Sequence, residues 1–359
     1  MVFNKTATAL AALVVAVVSG SAVAAGPVDI TYGYHPYWTG GWNGVVIKHK
    51  ELWKKYLPQG SKVRFEPHLT GPPMINAMLA DKMQIGTMGD MPSLVATTKK
   101  SIGDLRLVSV PMYSLGQQCN KVLVRKDAPE FKNYKDAMTW MNGKEFAVHR
   151  GTCANRFTES IIAKGAFKPS KLAFTAIEVI ASNFESGKLD AAAMWEPHAR
   201  RVVELGYAKY AATGAPWGEA DANFSLMRQD FIEKHGDAAM GWMKAEIEAV
   251  RFMIEHPKET AQMVVDEVKG YDHKTAWKAL YEGHSDAVGG TPVTYVGKMV
   301  FDEDIIKLMK GGYAFLHKIK VLKSPDVPKD AINDGPLKKA LAAMNAKAPL
   351  GEIKRHPPK

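Results

Sequence analysis

Short runs of alternating apolar and polar residues trade places along the chain with runs whose apolar residues recur at helical spacing. VDITYGYHPY predicts a strand over 30–34 that ends in a turn, and the following residues a helix over about 42–56. SKVRFEPHL alternates Val63 and Phe65 as a second strand. TGPPMINAMLADKM reads as a turn and a helix with Pro72 or Pro73 in its first turn, where proline is tolerated. QIGTMGD is a short strand and turn, MPSLVATTKK a helix and DLRLVSVPMY a strand. The alternation restarts at CNKVLVRKDAPEF, a strand that ends before Pro129. It continues with a strand over 145–149, a helix after Gly151, the strand KLAFTAIEV, a strand over 191–194 and a helix after Pro197. ANFSLMRQ returns to a strand. From about Arg228 the pattern is helical to the end, with GEIKRHPPK a frayed tail.

Strand–helix alternation at this spacing implies an α/β fold of mostly parallel sheets flanked by helices. At 359 residues the chain exceeds most single cores, so two lobes are expected. The first takes residues 26–118, the second 119–222, and 223–359 return to the first as a strand and C-terminal helices. The helical end carries Trp242, Ile247, Val250 and Phe252 among its apolar positions and packs back on the first lobe. Two lobes joined by two crossovers leave a cleft, and ligands bind beyond the carboxyl ends of parallel strands. The turns HPYWTGGW, HLTGPP, GTMGDMP, RGTCANR and MWEPH fall at such ends.

Residues 1–25 follow a different pattern. Lys5 precedes an apolar run over 7–18, and small residues follow at Ala22-Val23-Ala24. This is the form of a cleavable export signal, and the run is too short to span a membrane. A free periplasmic protein is the expectation. The net charge of +10 is spread among acids, as in KHKELWKKY, rather than gathered on one reading face. That excludes nucleic acid as partner and suits a small anionic ligand. The two cysteines, Cys119 and Cys153, can pair in an oxidising compartment. No metal-ligand spacing is present, and His35, His49 and His68 are scattered, with surface or packing roles as the default. No cofactor is expected.

With these turns assembled, the chain resembles the periplasmic substrate-binding proteins of the nitrate/sulfonate/taurine type. These serve ATP-binding-cassette importers and share a fold with thiamine-pyrimidine-precursor proteins. The resemblance runs through INAMLADKMQIGTMGDMPSL, YKDAMTWMNGKEFAVHRGTCANRFTESIIAKGAF, SGKLDAAAMWEPHARRVVELG and VRFMIEHPKETAQMVVDE. It implies a two-lobed periplasmic-binding-protein fold of type II, a monomer that docks on a permease and ATPase complex, and capture without catalysis. One branch includes a synthase that consumes its own histidine and carries a cysteine-rich iron-site motif, which this chain lacks. The chain departs from the commoner form in the aromatics of HPYWTGGW and the doubled methionine of GTMGDM.

Each strand end offers candidates. Tyr37, Trp38 and Trp42 stand in a glycine-rich loop, as an aromatic ligand wall or as a staple on the first helix. Thr70 and Gly71 begin the next helix. Asp90 caps a helix or receives a ligand amine, while amides near Met91 face an acid group. Met88 and Met91 are ligand contacts or core fillers. In RGTCANR, Gly151 allows close approach, and Thr152, Cys153 and Asn155 start a helix whose amides, hydroxyl and side-chain amide suit a sulfonate or carboxylate. Arg150 or Arg156 adds charge. Trp195 and Glu196 stand at another strand end, Glu196 as acceptor for a ligand or as helix cap. Gln117 and Gln118 precede the first crossover strand, and Trp217 lies by the return crossover. The expected ligand is a small organic anion, an organosulfonate or taurine-like compound first and an aromatic or heteroaromatic acid or pyrimidine-type compound second. Import is the leading role and sensing the alternative.

Overall fold

β1 (Asp29–Tyr34), β2 (Lys62–Pro67), β3 (Ile85–Gly89) and β4 (Leu105–Ser114) begin one sheet, and β5 (Lys121–Arg125), β6 (Glu145–Val148), β7 (Lys171–Phe174), β8 (Ala191–Met194) and β9 (Ala208–Thr213) make another. The chain then returns through β10 (Asp221–Arg228), β11 (Val293–Val296) and β12 (Glu352–Lys354) to the first. The computed structural model describes Met1 and residues 26–356; the predicted export signal, Met1 apart, lies outside them. Strand order is β12-β11-β4-β10-β3-β1-β2 in the seven-stranded sheet and β7-β6-β8-β5-β9 in the five-stranded one.

β1 pairs in parallel with β2 and β3, β6 in parallel with β7 and β8, and the remaining pairs are antiparallel. Because β10 lies between β3 and β4 and opposes both, β1 to β4 still share one direction. The ends of β1, β2, β3, β6 and β8 are therefore free to receive a ligand. Between β4 and β5, and between β9 and β10, the chain crosses from sheet to sheet. The two crossings touch where the Gly214 amide donates to the Gly116 carbonyl at 3.2 Å.

The core of the first sheet is aromatic. Tyr32 and Tyr34 stack with ring centroids 5.6 Å apart, and Tyr32 meets Trp242 at 4.6 Å. Trp242 is fully buried on the helix Gly236–Glu255, together with Ile247 and Val250. Burying a side chain of this kind contributes roughly 1.5–3 kcal/mol, and this row fastens the C-terminal helices to the sheet. The same helix buries Glu246, which accepts from Asn43 at 3.2 Å and from the hydroxyls of Ser109 and Ser225. Among the described residues no helix is long and apolar enough to cross a membrane.

Two expectations are corrected. The helix predicted over 42–56 breaks into Trp42–His49 and Leu52–Tyr56, because Glu51 adopts the left-handed conformation at φ 50°. The C-terminal region is not wholly helical, and within the tail expected to fray residues 352–354 form a strand, while 357–359 lie outside the described residues. β12 takes Glu352–Lys354 and pairs with β11, whose Val296 faces Tyr113 of β4. Segments of three and four residues carry too little periodicity to announce themselves, and their partner lies far away in sequence.

Candidate ligand cleft

Five strand ends meet at one cavity of about 370 Å³. From the first sheet, β1 delivers His35 and Trp38, β2 delivers Leu69, Thr70 and Gly71, and β3 delivers Gly89 and Asp90. From the second, β6 delivers His149 to Cys153 and β8 delivers Trp195. Cys119, on the first crossing, lies at the floor with Cys153, to which it is joined by a disulfide with Cα atoms 6.1 Å apart.

The second-sheet wall is a helix start. Gly151 lines the cavity with φ +73°, a backbone conformation that favours glycine, and no protein atom stands within 4 Å of where a Cβ would be. Thr152 turns the chain. Its hydroxyl donates to the His149 carbonyl at 2.7 Å and accepts from the Asn155 amide at 3.2 Å. Asn155 reaches back to accept the Gly151 amide at 3.0 Å. These two side chains cap the helix Cys153–Ala163 and are not free for a ligand. The amides of Thr152, Cys153 and Ala154 have no acceptor among the described residues, and Thr152 and Cys153 line the cavity, so this helix start can offer donors to an anion.

The first-sheet wall differs. Gly71 sits where a Cβ would meet Pro92 Cβ at 2.4 Å, so the starts of two helices, Gly71–Leu79 and Asp90–Thr97, lie against each other. Asp90 accepts the Met91 amide on its Oδ1 at 2.7 Å, and its Oδ2 has no partner among the described residues. Burial pushes its carboxyl up to about 6, against the opposing pull of the Arg156 guanidinium. Burial likewise lowers His35 to about 3 and lowers His149, so both imidazoles are neutral at pH 7.

Apart from Asn76 and Lys99, apolar groups fill the rest of the wall. Trp38 and Trp195 are both about nine-tenths buried or more, and Trp195 Nε1 donates to the Tyr37 carbonyl at 3.3 Å across the two sheets. Ile75, Leu79, Val95, Leu316 and Val321 continue the apolar surface. At the mouth, Lys318 and Glu159 form an ion pair at 3.2 Å, and Arg150 reaches the Ile319 carbonyl at 3.4 Å.

Eight of the expected ligand residues thus stand together on the cavity: Trp38, Thr70, Gly71, Asp90, Gly151, Thr152, Cys153 and Trp195. Seven do not. Tyr37 contributes only its carbonyl to Trp195. Trp42 is buried, with its indole N–H on the Pro36 carbonyl at 3.0 Å, so it is the staple on the first helix. Met88 and Met91 are core fillers beneath the sheet. Gln117 is turned to Thr213 at 3.1 Å, and Gln118 to Thr39 at 2.7 Å, both bracing the crossings. Asn155 is the cap already described. Glu196 accepts from the Arg200 amide at 2.9 Å and the Tyr210 hydroxyl at 2.7 Å, which makes it a helix cap behind the cavity. Arg150 lies on the wall, but Arg156 is held by Glu219 at 2.9 Å, and Trp217 packs on Tyr134. The lining residues missed include His35, Leu69, Ile75, Asn76, Leu79, Val95, Lys99, His149, Leu316 and Val321. Both histidines follow a strand directly, which is the signal that places them; His35 has a surface or packing role as its default, and His149 only marks a strand end. Leu316 and Val321 carried none. Among the described residues no group of three or more His, Cys, Asp or Glu could hold a metal ion.

The model of the NMT1-like family matches residues 24–268. The chain belongs to that family. A Bacillus subtilis protein named as an aliphatic sulfonates-binding protein is 23% identical to this NMT1-like chain over 285 residues, covering 79% of this chain and 80% of that one. Among solved structures, the alkanesulfonate-binding protein SsuA of Xanthomonas axonopodis, bound to MOPS, superimposes with a TM-score of 0.66 at 18% identity, over 86% of this chain and 99% of that one. The periplasmic nitrate-binding protein NrtA of Synechocystis gives 0.68 at 13% identity, over 90% and 91%. The NMT1-like chain therefore has the two-sheet α/β fold of periplasmic binding proteins.

Proposed function

We propose that this protein captures a small organic anion, an organosulfonate or taurine-like acid first, between its two sheets in the periplasm and delivers it to an ATP-binding-cassette importer. The observation that carries the reading is the pair of unaccepted amides, Cys153 and Ala154, at the start of an eleven-residue helix that opens on the cavity. An acid group seated there meets N–H donors and the positive end of the helix dipole. The family, and the sulfonates named for its relatives, support the choice of acid. In this reading residues 26–118 and 223–359 form one lobe and 119–222 the other. The crossings act as the hinge, and closure presents a monomer to the permease. Capture involves no bond-making: both cysteines are in the disulfide, which leaves no thiol nucleophile on the cavity.

A second ligand class has its own support. Trp38 and Trp195 give the cavity two large aromatic faces, which suit an aromatic or heteroaromatic acid. A thermal-shift screen of the mature protein against aliphatic sulfonates, taurine, aromatic acids, pyrimidines and nitrate tests both. A sulfonate that raises the melting midpoint selectively supports the first reading. A shift confined to aromatic carboxylates moves the assignment to the second. No shift with any acid overturns capture of an organic anion.

A further inference from the structure

The two walls of the cavity offer opposite chemistry. The second-sheet wall presents amides. The first-sheet wall is poorer in them: Pro72 and Pro73 occupy the second and third positions of the helix Gly71–Leu79, and Pro92 the third of the helix Asp90–Thr97. Three of those six first-turn positions therefore carry no N–H. A fourth amide, that of Met91, is taken by Asp90's own Oδ1.

Beside the Lys99 ammonium and the indole N–H of Trp38, unpartnered among the described residues, it presents a carboxylate. Asp90 lines the cavity, is fully buried, and leaves Oδ2 without a partner among the described residues. The charged groups acting on it are Arg156 from the helix Cys153–Ala163 and Asp221 from β10. Arg156 is already engaged by Glu219 and the Ala220 carbonyl, and Asp221 is of like charge. A buried carboxylate oxygen with no donor is costly, and a donor arriving with the ligand removes that cost.

Resting on the reading of this cleft as a site for an organic acid, we infer that Asp90 receives a hydrogen-bond-donating group of the ligand, an ammonium in the first instance. The ligand is then an amino-bearing acid. Its acid group sits on the Cys153 and Ala154 amides, its ammonium on Asp90 Oδ2, and its apolar body against Trp38 and Trp195. Nitrate has no donor to offer Asp90 and is excluded on the same ground.

Titration calorimetry with two isosteric pairs tests this: taurine against propanesulfonate, and para-aminomethylbenzenesulfonate against para-ethylbenzenesulfonate. Within each pair an ammonium replaces a methyl group of nearly equal size. Within whichever pair binds, the aminated member is expected to bind roughly tenfold to a hundredfold tighter, the range for a hydrogen bond to a charged group. Equal affinity, or preference for the alkyl member, overturns the inference and leaves the sulfonate reading standing. Failure of all four to bind overturns the sulfonate reading and this inference with it. Asp90→Asn keeps an oxygen for the Met91 amide and is expected to erase the preference within a pair. If the preference persists unchanged in a folded Asp90→Asn protein, the receptor is another group.

Discussion

On the proposed reading, Thr152 acts on the ligand through its neighbours rather than through its own hydroxyl. Both hydrogen-bonding capacities of its hydroxyl are spent on His149 and Asn155. Loss of such a cap costs about 1 kcal/mol. We expect Thr152→Ala to weaken sulfonate binding roughly fivefold by loosening the Cys153 and Ala154 amides. Thr152→Ser should restore affinity, as read by calorimetry; unchanged affinity in Thr152→Ala would place the anion elsewhere. Glu246 makes a separate case, remote from the cavity. Burial raises its carboxyl from an ordinary value of 4.5 to about 7, against the favourable hydrogen bonds from Ser109 and Ser225. Between those values the folded protein retains a proton that the unfolded chain has released, so this group makes stability fall as pH rises through that window. Denaturant unfolding at a series of pH values should show a shallower fall in Glu246→Gln than in the wild type. An unaltered slope would assign the effect to other groups.

At the scale of elements, the helix Cys153–Ala163 is held at both ends of its role: by its own caps, and by the disulfide to the first crossing. The two cysteines are 34 residues apart. Closing a loop of that length restricts the unfolded chain by about 3–4 kcal/mol in the chain-entropy account. Cys119→Ser combined with Cys153→Ser is expected to lower stability by about that amount, measured by denaturant unfolding. A loss below about 1 kcal/mol would mean that strain offsets the entropic gain. The helix Glu303–Lys318 and the turn after it form the outer wall through Leu316 and Val321. Val321 is 43% exposed, so enlarging it disturbs no core. Val321→Trp should reject bulky aromatic sulfonates while leaving the melting midpoint of the free protein nearly unchanged. Equal binding of large and small sulfonates by that variant would remove Val321 from the wall.

At the scale of the whole molecule, the proposed reading divides labour between a hinge and a mouth. The crossings at Gly116 and Gly214 touch through one backbone hydrogen bond, braced by Gln117 and Gln118. The mouth is spanned by Lys318 with Glu159 and by Arg150 with the Ile319 carbonyl. Lys318 is well exposed, so this pair contributes no more than about 1 kcal/mol and is weakened by salt. On the proposed reading, closure draws its energy from a ligand that touches both walls at once.

Much of this was legible in the residues. The strand–helix alternation, the turns at strand ends, the helix start at Thr152 and the prolines at 72, 73 and 92 are properties of near neighbours. Helical spacing, capping and the loss of an N–H all act within about four residues, so a local reading reaches them. The choice between Trp38 and Trp42 was not local. Both stand in one aromatic loop, and only packing sends the first to the cavity and the second to the core. The same holds for Glu196, whose partners Arg200 and Tyr210 claim it from behind, and for Asp90, which is left with one oxygen unclaimed. Sequence by itself determined the elements, the two-sheet class and the helix start that faces the cavity. Tertiary structure alone decided which side chains line it, because the pairing of strands far apart in the chain sets which residues meet and which polar atoms are left without partners.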